Sequence, residues 1–320
     1  QQILGGYLGI AIVALWLARK PIWQLIKKVV RARSDEDDSR EPMKYRTAVL
    51  GIILGISFLV FFSYQAGMTI RFALAFFGVY FAIAFAHTRA RAELGPPMHG
   101  IHYFGPFQFF IAAIGSRKLA NQTLTAAAPL WTFTKQFRNH PMPYILESFK
   151  LADRAGMDTR KLGRVIMLSV VVSLILTSWT FLQFSYKWGG ISEGRGIEAY
   201  TTIERWLVRP IEPDIQSLGA IAVGSLFVFT NTTLRLRLLW WPLHPLAYPI
   251  AGYAAFRHLW FPFFISWLLK WGILKHGGIQ TYRRTFPFFL GLVLGDFTIG
   301  SVWGIIGLIT GEPTYTFKQW

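Results

Sequence analysis

Apolar residues along this chain come in long blocks, not in the short alternating runs of half-buried strands. Six blocks, residues 3–18, 47–64, 69–87, 162–184, 215–234 and 286–309, read as helices that cross a bilayer, which takes about 17–25 mostly apolar residues. Two further apolar regions are interrupted. Residues 101–134 are broken by Gly115-Ser116-Arg117-Lys118, and residues 243–274 by Pro245, Pro249, Arg257 and Pro262. A Gly-led polar, charged break in the first and prolines, which remove a backbone donor, in the second lead both regions to be expected as broken or re-entrant helical hairpins. Polar segments separate the blocks. PIWQLIKKVVRAR places Ile22, Leu25, Ile26, Val29 and Val30 at helical spacing, with Lys27, Lys28, Arg31 and Arg33 on the other side, as in a helix lying at an anionic membrane face. SDEDDSREP (34–42) is an acidic linker, and NHPMPYILESFKLADRAG (139–156) an interfacial amphipathic helix entered through Pro-x-Pro.

Composition agrees with this pattern. Hydrophobic residues make up 53% of the chain and charged residues only 15%, against about 25% for a soluble domain. The net charge of +17 does not point to nucleic acid, because the cations lie in short loops between apolar runs and not on one soluble basic face. Their distribution sets an orientation. Residues 19–46 carry nine Lys/Arg and 135–164 carry seven, whereas 185–214 carries four against five Asp/Glu and is placed outside. Both interrupted regions then return to the side they entered from. With no cysteine, disulfides, thiolate metal sites and cysteine nucleophiles are excluded.

The two interrupted regions have similar neighbours. R-A-R (89–91) and P-P-M-H (96–99) follow one span, and R-L-R (235–237) and P-L-H (242–244) follow another. Residues 69–184 and 215–309 thus suggest a parallel internal repeat. The expected fold is an all-α integral membrane protein with about six firm transmembrane helices plus two broken hairpins. Its expected divisions are a first span, amphipathic helix and linker (1–46), a membrane unit (47–190), an external loop (191–214) and a second membrane unit (215–320). The first span begins at Ile3 with no initiator Met, which predicts that the chain is the C-terminal part of a longer protein.

Few residues could carry chemistry. Asp296 is the sole ionisable side chain in 286–309, and a carboxylate at that depth faces a partner or a wet cavity. Gly291 and Gly295 form a G-x-x-x-G face beside it, which predicts close helix packing inside a bundle. Its candidate partners are Lys270, Arg257 and Arg71. Arg89 and Glu93 are four residues apart and pair if the helix continues. His99 and His102 are weak candidates for a metal site, with His87 as a third member. No phosphate-binding loop, nucleophile elbow or zinc-protease motif occurs, and no cofactor is expected.

The elements HPLAY (244–248), SWLLKW (266–271), HGG (276–278), YRR (282–284) and FLGLVLGD (289–296) resemble the C-terminal part of a family of uncharacterised bacterial polytopic membrane proteins, and RARAELGPP (89–97) is similar to a motif in its preceding domain. That resemblance implies a bacterial cytoplasmic membrane and brings no activity. FKLADRAGMDTRKLGRVIMLSVVVS (149–173) is faintly similar to oligopeptide-transporter-type permeases. The expected function is a secondary transporter or permease of unidentified substrate, with lipids and other membrane subunits as partners. The alternatives are an accessory or scaffold subunit of a larger membrane assembly, and an intramembrane enzyme using Asp296, Glu93 or His99 and His102.

Overall fold

The computed structural model describes residues 1–31, 41–95, 105–134, 137, 139–189 and 193–312, all helical or connecting, with no strand among them. In chain order the helices are α1 (Gln2–Leu17), α2 (Arg19–Arg31), α3 (Tyr45–Gln65), α4 (Ile70–Leu94), α5 (Pro106–Ile114), α6 (Asn121–Thr134), α7 (Pro141–Arg154), α8 (Thr159–Trp188), α9 (Glu193–Val208), α10 (Ile215–Arg237), α11 (Ala247–Ala251) and α12 (Ala254–Thr310). Five are long and apolar enough to cross a membrane: α3, α4, α8, α10 and the stretch His258–Thr310 of α12. A sixth span arises if α1 and α2, bent by 61° at their junction, are taken together. This is consistent with an all-α membrane protein, as the block pattern predicts.

Local chemistry sets the helix ends. Thr69 accepts from the Phe72 amide at the start of α4, Asp158 from the Arg160 and Lys161 amides at α8, and Asp214 from the Ser217 amide at α10. Gly95 and Gly189 stop α4 and α8 in the left-handed region, where a Cβ is disfavoured. The chain separates into two compact units, Gln1–Tyr253 and Ala254–Trp320.

In the first unit α4 is the central helix. Its first half contributes Phe72, Phe76 and Phe77 to a core shared with Phe107 and Phe110 of α5, Leu124 and Trp131 of α6, and Ile203 of α9. Its second half packs Ile83, Ala84 and Ala86 against Leu4, Tyr7 and Ile10 of α1 and Ile221 and Val228 of α10. The α1–α10 contact is unusually close. A Cβ on Gly5 would lie 1.9 Å from the Ile221 carbonyl oxygen, one on Gly224 2.0 Å from that of Gln2, and the Ser225 hydroxyl donates to the Gly5 carbonyl at 2.7 Å. Where lipid supplies as apolar a medium as the partner helix, such backbone approach maximises dispersion contact and interhelical hydrogen bonding.

Helices α5 and α6 form a short hairpin, broken at the predicted Gly115–Lys118. At 1.5 Å per residue its limbs are about 14 and 21 Å long, short of the roughly 30 Å hydrocarbon core. The tip is tied to the segment before α10: the Ser116 amide donates to the Ile211 carbonyl (3.0 Å), the Ile211 amide donates to Ser116 Oγ (2.9 Å), and the Asp214 amide donates to the Ala112 carbonyl (2.9 Å). At the other end Gly105 lies against the Thr134 carbonyl. Entry and exit are therefore neighbours, and this interrupted region is re-entrant in form.

The second unit is one long helix with a single break. The expected interruption at Pro262 does not occur, since α12 runs through both Pro262 and Pro287 and is kinked at Gly278 (φ 65°, ψ −172°). Lys270 Nζ lies 5.6 Å from the Tyr282 ring. Twelve residues of straight helix would separate these positions by about 18 Å, so the helix bends at Gly278. The interruption of 243–274 is therefore confined to its start, where Pro245 and Pro249 flank and enter the short α11 ahead of α12, and the bend at Gly278 lies beyond the region expected to be broken.

Candidate functional site

Polar and titratable side chains in the first unit collect on the last turns of α4, beside the base of the α5–α6 hairpin. His87 is 1% exposed. Its ring centroid is 5.7 Å from Tyr7 of α1 and 6.0 Å from Phe137, which follows α6. Phe137, fully buried, also contacts Tyr80 and His140. Phe137, just past the end of α6, is thus enclosed by side chains of α1, α4 and the start of α7.

Charged groups follow His87 along α4. Arg89 Nε donates to Glu93 Oε1 at 2.6 Å, the i,i+4 pair expected from their spacing. Arg91 Nε donates to Glu147 Oε1 at 2.5 Å, tying α4 to α7 across 56 residues of sequence, and only 17% of the Arg91 side chain is exposed. His244, between α10 and α11, shares the electrostatic environment of Arg235, Glu93 and Arg89. Arg89 and Glu93 at the end of α4 and Arg235 and His244 after α10 therefore contribute to one polar zone, while P-P-M-H (96–99) lies outside the described residues.

Two histidines border this zone, and their tautomers follow from their hydrogen bonds. His140 Nδ1 accepts from the Met142 amide at 3.3 Å and His244 Nδ1 from the Leu246 amide at 3.2 Å, which places the ring proton of each neutral imidazole on Nε2. Burial holds both below the ordinary histidine range; for His244, Arg235 and Arg89 add to the effect and Glu93 opposes it. Both are neutral at pH 7. The arrangement sets a buried imidazole and phenol next to an arginine-rich, partly neutralised cluster, groups that can exchange protons or pair with anions. His99 and His102 lie outside the described residues, and no cluster of three metal-ligating side chains occurs among the described ones.

Asp296 is exposed on α12 and makes no ion pair among the described residues. Nothing within 4 Å would meet a Cβ at Gly291 or Gly295, so the glycines that bring helices together here are Gly5 and Gly224. The structure does not bring Lys270 to Asp296. Lys270 faces Tyr282, and Asp296 lies 14 residues, about 21 Å, further along the same limb. Arg71 is exposed at the start of α4, and the side chain of Arg257 lies outside the described residues. Sequence reasoning missed Glu147, Arg235 and His244 as members of the polar zone. The recurrence of Arg-x-Arg and Pro-x-His after two spans was the signal that pointed to the last two.

The described residues thus define a class, all-α with five to six helices long and apolar enough to span a membrane. Within that class the chain belongs to a family of unknown function (DUF6785), whose model matches residues 1–319. This agrees with the resemblance to an uncharacterised family. No curated protein and no solved structure matches, so the likeness to oligopeptide-transporter-type permeases gains no support.

Proposed function

We propose that this chain is the membrane part of a secondary transporter or permease of the bacterial cytoplasmic membrane, its solute path running along the second half of α4 beside the α5–α6 hairpin. The observation that carries this reading is the hairpin itself: two helices too short to cross, entering and leaving at one end, with a buried histidine and tyrosine at their base. Discontinuous helices that set irregular backbone and polar groups at depth are how transporters build sites near the midplane. In this reading His87 is the buried proton-accepting group of the path, and Asp296 is the intramembrane carboxylate for a coupling cation or proton.

The absence of cysteine makes one test direct. Thr88→Cys places a single thiol beside His87, and a membrane-impermeant maleimide is applied from either face of sealed vesicles. Alternating access exposes the position to both faces in turn, so labelling from both sides is expected. Labelling from one side only, or from neither, under every solute and pH condition tried removes the transport reading. The second reading, an accessory subunit of a larger membrane assembly, is favoured by α8, whose apolar window buries nothing, and by the exposed glycine and carboxylate face of α12. It would emerge from the same experiment as a Thr88→Cys thiol that is never labelled, together with stable co-purifying subunits.

A further inference from the structure

The turn of α12 at Gly278 gathers cations that nothing in the transport reading uses. Lys275, His276, Arg283 and Arg284 lie within six residues of the turn and are exposed. None of Lys275, Arg283 and Arg284 has an ion pair among the described residues. No acidic residue occurs from 254 to 295, so no carboxylate of this unit short of Asp296 can neutralise them. Lys270 Nζ lies 5.6 Å from the Tyr282 ring across the bend, and Lys275, Arg283 and Arg284 share the short polar stretch 275–284 between the two limbs. Both limbs leading away are apolar: residues 259–274 and 286–309 carry one cation, Lys270, and one carboxylate, Asp296. The limb 254–277 is about 36 Å long and 279–310 about 48 Å, each sufficient to reach across the hydrocarbon core. A turn between two such limbs lies at the water interface, and its aromatic residues are of the kind that sit at headgroup level: Trp271, beneath Lys275 Nζ at 4.5 Å, and Tyr282.

We propose that this turn is a binding site for the phosphate headgroup of an anionic phospholipid, held by Lys275, Arg283 and Arg284 with Trp271 and Tyr282 setting its depth. Charge complementarity selects the occupant. The turn carries three full positive charges and no negative one, and the leaflet surface it meets supplies phosphodiesters in a plane. The arginines present paired N–H donors that match phosphate oxygens, and Lys275 adds a point charge. The site is independent of the α4 zone and of any transported solute.

The test uses the full chain in phosphatidylcholine nanodiscs, titrated with phosphatidylglycerol and read by native mass spectrometry. Each cation near a headgroup layer contributes about fivefold in affinity, so Lys275→Gln is expected to weaken phosphatidylglycerol retention about fivefold and Lys275→Gln/Arg283→Gln/Arg284→Gln about a hundredfold. Phosphatidylcholine retention stays unchanged. The charge-keeping variant Lys275→Arg/Arg283→Lys/Arg284→Lys should bind nearly as the parent does, which separates loss of charge from loss of fold. If the single and triple neutral variants retain phosphatidylglycerol as the parent does, the proposal is overturned. Displacement of the lipid by millimolar inorganic phosphate would also overturn it, since the turn would then be a site for free phosphate.

Discussion

Replacing Gly5 by alanine tests the packing that holds α1 against α10. The added Cβ would sit 1.9 Å from the Ile221 carbonyl oxygen, and real Cβ contacts stay above 3.0 Å, so the helices must part by about 1 Å. The obstacle is backbone, which no rotamer change relieves. Overpacking of this kind costs about 1–3 kcal/mol. Separation also weakens the bond from Ser225 Oγ to the Gly5 carbonyl, and interhelical hydrogen bonds in membranes average about 0.6 kcal/mol. Alanine returns up to about 1 kcal/mol in helix propensity, leaving a net loss of about 2 kcal/mol. Gly51 in α3 is the control, because nothing lies within 4 Å of a Cβ there and Gly51→Ala should be neutral or stabilising. The expected contrast between the two alanine variants is thus about 2–3 kcal/mol. It is read by denaturing the purified protein from bicelles with sodium dodecyl sulfate and following tryptophan fluorescence. Equal stability of Gly5→Ala and Gly51→Ala would show that α1 and α10 do not touch through their backbones, and the account of the first unit would fail.

Three other outcomes follow from the geometry. Ser116→Ala removes the acceptor of the Ile211 amide and should cost about 1–2 kcal/mol, whereas the exposed Arg117–Glu212 pair should show a double-mutant coupling below about 0.5 kcal/mol; the reverse ranking would mean that charge and not backbone pairing anchors the hairpin tip. Arg91→Ala frees Glu147 and should raise amide exchange across 141–154 while leaving α10 protected; uniform exchange over the whole unit would refute a local clamp. His140 and His244 have folded-state pKa values below the unfolded one, so they stabilise the fold above the ordinary histidine value of 6.5 and that contribution is lost as pH falls through the depressed values. The double variant His140→Gln/His244→Gln should accordingly flatten the loss of thermal stability between about pH 7 and 5, and an unchanged slope would rule these histidines out.

The amino-acid sequence by itself determined the solvent, the helices and most of their ends. Unbroken apolar blocks of this length satisfy every backbone group within their own segment as helices, and they lack the alternating pattern of barrel strands. The break at Gly115–Lys118 was legible in sequence because it is local, and Asp158, Asp214 and Gly95, found as caps and a stop in the structure, act just as locally. The Arg89–Glu93 pair was legible for the same reason, four residues on one helix. What only the tertiary structure decided involves groups distant along the chain. Glu147 meets Arg91 across 56 residues, and Tyr7 meets His87 across 80. Gly5 rather than Gly291 marks a close helix crossing, because a glycine becomes a contact only when another backbone arrives opposite it. Pro262 was misleading since a proline inside a long apolar helix can be absorbed by its neighbours, while Gly278 bends the helix through a left-handed φ.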